Sequence, residues 1–176
     1  NILRNNLIIR SSYSQLSNRE LKSNLGDLIR STALTNCIKG NYFWLTEKKA
    51  VPLLKWFVDP GKIITYEDLD YFPPDLEIYN ADNYVPNKEV FNSLKGNWHG
   101  YIWDGNKIFA DNEIIRNTEA YTAGNYKGSW QQALVEGMEF TWKEQDYAIS
   151  SIRTEETVDV GLNWNVHPDW KTKHWP

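Results

Sequence analysis

Apolar residues recur at helical spacing in two stretches of the chain. Leu21, Leu25, Leu28 and Ile29 follow Ser17-Asn18-Arg19-Glu20, a capping-box pattern in which a serine hydroxyl and a glutamate side chain satisfy each other's backbone N–H groups. The spacing predicts a helix over about residues 18–38, closed by Gly40. Trp130, Leu134, Met138 and Trp142 step by four behind a second such pattern, Ser129-Trp130-Gln131-Gln132, and predict a helix over about residues 130–149.

Other stretches carry shorter signals. An aromatic run at 42–45 precedes a helical stretch from Thr46 to about Lys55, whose regularity Pro52 limits. Residues 62–86 mix Ile63-Ile64, an acidic cluster (Glu67, Asp68, Asp70), Tyr71-Phe72-Pro73-Pro74 and Tyr84-Val85-Pro86, a composition that predicts extended, irregular backbone with short turns. Residues 87–94 read as one or two helical turns ended by Gly96. Asp104-Gly105-Asn106 lies between two apolar runs, 98–103 and 107–110, and predicts a tight hairpin because Asp-Gly tolerates positive φ.

Together these elements predict an α+β, helix-dominated fold. A small core of two capped helices is joined by a short β-hairpin, and the N- and C-terminal arms are extended and irregular. The expected division is an N-terminal arm at 1–16, a single small globular domain at 17–157, and an extended, tryptophan-rich arm at 158–176. The last segment holds Trp164, Trp170 and Trp175 at spacings of neither helix nor strand, and Pro168 restricts His167 to extended geometry.

Composition adjusts this picture in three ways. The chain of 176 residues is 41% hydrophobic and 14% aromatic, enough apolar area for one folded domain, and its nine tryptophans are an excess that needs a cause. The net charge of −4 weighs against nucleic acid, whose binding rests on clustered lysine and arginine. Cys37 is the single cysteine, so no internal disulfide exists, and no apolar run approaches the roughly 18–20 residues of a membrane-spanning helix. Residues 1–19 contain Arg4, Arg10 and Arg19, four serines and no acid, the pattern of a mitochondrial presequence.

Candidate chemistry is sparse. His167, Asp169 and His174 are metal-ligand types within eight residues, but their spacing matches no zinc pattern and a structural site wants four ligands. His99 fits a hydrogen-bonded structural role. No nucleophile elbow and no phosphate-cradling glycine loop occurs. Asp104, Asp111 and Glu113 lie close in sequence to Trp98 and Trp103, an arrangement in which two acids and an aromatic platform would serve a sugar ligand.

The resulting expectation is a non-catalytic accessory subunit of a large multiprotein assembly, a mitochondrial respiratory-chain complex or the ATP synthase. It would dock on other protein subunits through its arms, with Trp164, Trp170, Trp175 and His167 as interface anchors. Its expected place is the inner membrane, held peripherally or on the matrix side, with no catalytic residue, cofactor or metal. The alternative is a carbohydrate-binding or glycoside-hydrolysing domain with an aromatic cleft.

Overall fold

The computed structural model describes residues 5–15, 21–68, 72–120 and 126–143. In chain order the strands are Asn6–Ile9 (β1), Tyr13–Gln15 (β2), Leu21–Ser23 (β3), Tyr42–Thr46 (β4), Ile63–Thr65 (β5), Leu76–Asn80 (β6), Gly96–Trp103 (β7) and Ile108–Ala110 (β8). The α-helices are Leu25–Ser31 (α1), Val51–Leu54 (α2), Lys88–Ser93 (α3), Glu113–Ala120 (α4) and Trp130–Gly137 (α5).

Six strands form one mixed sheet in the order β5-β4-β1-β6-β7-β8, while β2 and β3 pair with each other as a separate antiparallel ribbon. β1 is parallel to both its neighbours: Ile8 lies opposite Trp44 of β4 and Tyr79 of β6. β4–β5 and β6–β7 are parallel as well, and only β8 returns antiparallel. From β1 the chain fills one side of the sheet, then crosses back to β6 and fills the other. This is the doubly wound arrangement, whose two halves diverge between β1 and β6.

The expected helix-dominated α+β fold is therefore overturned by a six-stranded α/β sheet. The physical reason lies in burial. Asn-Leu-Ile-Ile of β1 is buried at all four positions, with Leu7 and Ile9 packed on one face and Ile8 on the other. A strand covered on both faces reads as an unbroken apolar run, with no alternation to betray it. The irregular N-terminal arm is corrected at the same stroke, since residues 6–9 are the central strand. Residues 62–86, expected to be irregular, supply β5 and β6.

Helices cover both faces. Leu28 of α1, Leu54 of α2, Ile115 of α4 and Leu134 of α5 close over Ile8 and Trp44. Phe91 of α3, with Tyr66 and Leu94, closes over Leu7, Ile9, Leu45 and Ile78. The helix expected over 18–38 begins later, at α1, because Asn24 rather than Ser17 is the cap: its side chain accepts from the Asp27 N–H, and residues 21–23 before it form β3. Residues 16–20, with the expected capping box, lie outside the described residues.

The helix expected over 130–149 starts where the sequence places it, the Ser129 side chain accepting from the Gln132 N–H. It ends early. Glu139 adopts φ of 70°, its N–H donates to the Glu136 carbonyl (2.9 Å), and the Phe140 N–H donates to the Val135 carbonyl (3.1 Å), the paired bonds of a Schellman stop. The Asp104-Gly105-Asn106 turn is present too, but as the edge of the large sheet. Asp104 accepts from the Asn106 and Lys107 N–H groups and Gly105 has φ of 94°.

Candidate functional site

In doubly wound sheets ligands bind outside the carboxyl ends of the strands, where the two halves diverge. Here that place is the end of β1, followed by Arg10-Ser11-Ser12, and the end of β6, followed by Ala81-Asp82-Asn83-Tyr84. Glu47 follows β4 beside them. All of these strands run parallel, so their polar continuations emerge together at one edge.

The polar groups bridge the divergence directly. The Ser11 N–H and hydroxyl both face Asp82 Oδ1, at 3.0 and 3.2 Å, and the Ser11 hydroxyl also lies 2.7 Å from the Tyr84 hydroxyl. On the other side the Ser12 N–H donates to Glu47 Oε1 (2.9 Å), and the Ser12 hydroxyl donates to the same oxygen. Two successive residues thus hold a carboxylate from each flanking strand. The Asn24 N–H donates to the Ser12 carbonyl, which brings the start of α1 to the same edge. There Asp27, half-buried, accepts from the Asn24 side chain and pairs with the Arg30 guanidinium.

Arg10 is 4% exposed and Asp82 is wholly buried. The guanidinium donates to the carbonyls of Ala81 (2.9 Å) and Ser11 (3.2 Å), and its Nε lies 3.9 Å from Asp82 Oδ1. Burial pushes the Asp82 carboxyl up to about 6, and the nearby Arg10 charge and the Ser11 hydrogen bonds only partly offset that desolvation. Tyr66 and Tyr84 are held protonated, their pKa values raised by burial first and by Asp82 next. Asp82, Tyr84 and Glu47 all act on Tyr66, which places its hydroxyl among the same group.

Three buried atoms of this cluster find no hydrogen-bond partner among the described residues: Arg10 Nη2, Asp82 Oδ2 and the Tyr66 hydroxyl. An unpaired buried polar atom costs about 1–3 kcal/mol, so a concentration of them at one place asks for a cause. Chemically the edge offers half-buried carboxylates (Asp27, Glu47) that accept hydrogen bonds from hydroxyl groups or take a proton from one, and tyrosine hydroxyls that donate. Among the described residues there, Arg10 and Arg30 are already paired, and the exposed Lys49 donates to the Tyr13 hydroxyl at 3.3 Å. An acid already occupies the first turn of α1, where a phosphate would otherwise sit.

The residues singled out from sequence fall elsewhere. Trp164, Trp170, Trp175 and His167 lie outside the described residues, as do Asp169, His174 and Asp70. Trp103 is buried, its Nε1–H donating to Asn92 Oδ1 (2.9 Å), and both Trp103 and Trp98 pack against Phe91, with ring centroids 6.4 and 5.6 Å away. Asp104 is spent on its own turn, Glu113 is exposed in the first turn of α4, and Asp111 accepts from the Gly100 N–H (3.3 Å) near His99. Those acids and rings are not brought into one cleft. His99 stacks on Tyr79 (4.7 Å) and bonds Glu77 (3.0 Å), the structural role expected for it. No group of His, Cys, Asp or Glu suited to a metal ion occurs among the described residues, and none of their helices is long and apolar enough to cross a membrane.

Sequence reasoning missed Arg10, Ser11, Ser12, Asp27, Glu47 and Asp82. One signal was there: the runs that became β1, β4 and β6 each end in polar residues, Arg-Ser-Ser, Thr-Glu and Asn-Ala-Asp. No protein-family model, curated protein or solved structure matches the chain.

Proposed function

We propose that this chain is a small-molecule-binding domain whose ligand is rich in hydroxyl groups, with carbohydrate as the leading class, held at the carboxyl edge of β1, β4 and β6. The observation that supports the reading is the cluster of buried polar atoms without a hydrogen-bond partner among the described residues, at the divergence of the two half-sheets. Among the described residues of the edge, carboxylates outnumber cations without a carboxylate or hydroxyl partner, so a phosphate group would meet repulsion while a sugar hydroxyl would find acceptors at Glu47 and Asp27. This keeps the ligand class of the carbohydrate alternative and assigns it to different residues.

Calorimetric titration with methyl glycosides and free pentoses and hexoses, against a counter-panel of nucleoside monophosphates, tests it. Sugar binding weakened about tenfold or more by Glu47→Gln or Asp27→Asn is the expected result, since each removes a charged acceptor. Binding of the phosphorylated panel alone, or of neither panel, overturns it. Docking within a mitochondrial assembly is a separate proposal; it is carried by the tryptophans of 158–176 and by the acid-free composition of 1–19, a segment that also supplies Arg10, Ser11 and Ser12 to the edge. Co-purification of the full chain from its source with and without 158–176 tests that one, and an unchanged set of partners would refute it.

A further inference from the structure

Trp130, the first residue of α5, is 4% exposed, and its Nε1–H donates to the Thr118 carbonyl at 3.1 Å, which fixes the plane of the ring. Two guanidinium carbons lie close to its centroid: Arg30 at 5.0 Å and Arg10 at 5.9 Å. Each arginine reaches past the ring to a carboxylate of the edge, Arg30 to Asp27 and Arg10 to Asp82. We infer that Trp130 is a positioning residue for the ligand-binding edge, its ring holding the two arginines that in turn orient Asp27 and Asp82.

Arg10 is the cation the ring affects most. Its guanidinium is almost fully enclosed and its Nη2 has no hydrogen-bond acceptor among the described residues. An electron-rich ring face attracts a cation that has lost its water, which an aliphatic side chain of similar bulk cannot do. Leu134 and Val135 on the same helix fill the core equally well by packing, so filling space does not by itself call for an indole here. The ring also joins Arg30 of α1 and Arg10, just after β1, to the start of α5.

The inference rests on the binding reading for what the carboxylates are used for, but its test reads the carboxylates themselves and needs no ligand. Asp82 is faced by Arg10, Ser11, Glu47, Tyr84 and Tyr66, and Arg10 is the cation among them that lies over the Trp130 ring. The experiment is carbon-detected NMR titration of the aspartate carboxyls in the unliganded full chain, wild type against Trp130→Leu, Trp130→Phe and Leu134→Ala. Losing the ring frees Arg10 and lets the Asp82 midpoint climb by about half a pH unit or more in Trp130→Leu, with a smaller climb in Trp130→Phe. Leu134→Ala, which opens the same core but removes no aromatic face, leaves the midpoint in place. An Asp82 midpoint unchanged by both Trp130 substitutions, or moved as far by Leu134→Ala, overturns the inference. If Trp130→Leu does not fold, the Trp130→Phe and Leu134→Ala pair decides on the same criterion. A failed sugar titration refutes the binding reading without touching this result.

Discussion

Asp82 is a carboxyl sealed at the divergence of the two half-sheets, and replacing it with asparagine isolates the cost of its charge. Its pKa rises from the ordinary 3.8 to about 6 in the folded chain, chiefly by burial. That difference corresponds to about 3 kcal/mol between the two protonation states. The folded state therefore binds more protons than the unfolded state between those values. Stability from this group is fully present below about 3.8 and is lost as pH rises through about 6. Asparagine keeps the shape and the acceptor for Ser11 but carries no charge, so the variant lacks this dependence. Removing the partner of Arg10 adds a penalty to the variant, but one that does not change over this range because arginine stays charged. Urea unfolding of both proteins from pH 4 to pH 7.5 is the assay. The wild type should lose about 2–3 kcal/mol relative to Asp82→Asn across that window. A difference that stays flat from pH 4 to 7.5 would show that Asp82 ionises as an ordinary carboxyl and would refute its sealed placement.

Other expected outcomes follow from packing and backbone geometry. Phe91 is 1% exposed and touches the rings of Tyr66, Trp98 and Trp103, so Phe91→Ala should cost about 3–5 kcal/mol in chemical denaturation, and a cost under about 1 would contradict the packing of α3 on the sheet. A Cβ on Gly96, at φ of 153°, would stand 1.9 Å from the Leu76 carbonyl oxygen across the β6–β7 pair, so Gly96→Ala should abolish cooperative unfolding or lower the melting temperature severely; a native-like melting curve would argue against that register. Glu139 occupies the left-handed stop of α5 where glycine is favoured, and Glu139→Gly should stabilise by about 0.5–1 kcal/mol by urea titration. An unchanged or destabilised variant would refute backbone strain at that position.

What could be read from the chain without its fold were the features decided within a few residues. The Ser129 cap, the Asp104-Gly105-Asn106 turn and the helical character of 88–93 each depend on contacts no more than about four positions apart, and each occurs where local chemistry places it. Composition likewise established that a folded core was possible and that no disulfide could form within these 176 residues. The capping box at 17–20 shows the limit of this reasoning, since a local pattern that fits one helix start competed with Asn24, whose backbone N–H is tied to Ser12.

Tertiary structure alone decided the rest. β1 is recognisable as a central strand only because β4 and β6, about 36 and 71 positions later, cover its two edges while helices cover both faces. Ser11 meets Asp82 across 71 positions and Ser12 meets Glu47 across 35, so no window of sequence contains both members of either pair. The tryptophans illustrate the same division. Their abundance was plain from composition, yet which of them would fill core, as Trp44 and Trp103 do, and which would stand beside the buried Arg10 and the partly exposed Arg30, as Trp130 does, depended on neighbours brought together by the sheet. Apolar patterning marks which residues avoid water, whereas the pairing of parallel strands determines which polar groups are left facing one another at their carboxyl ends.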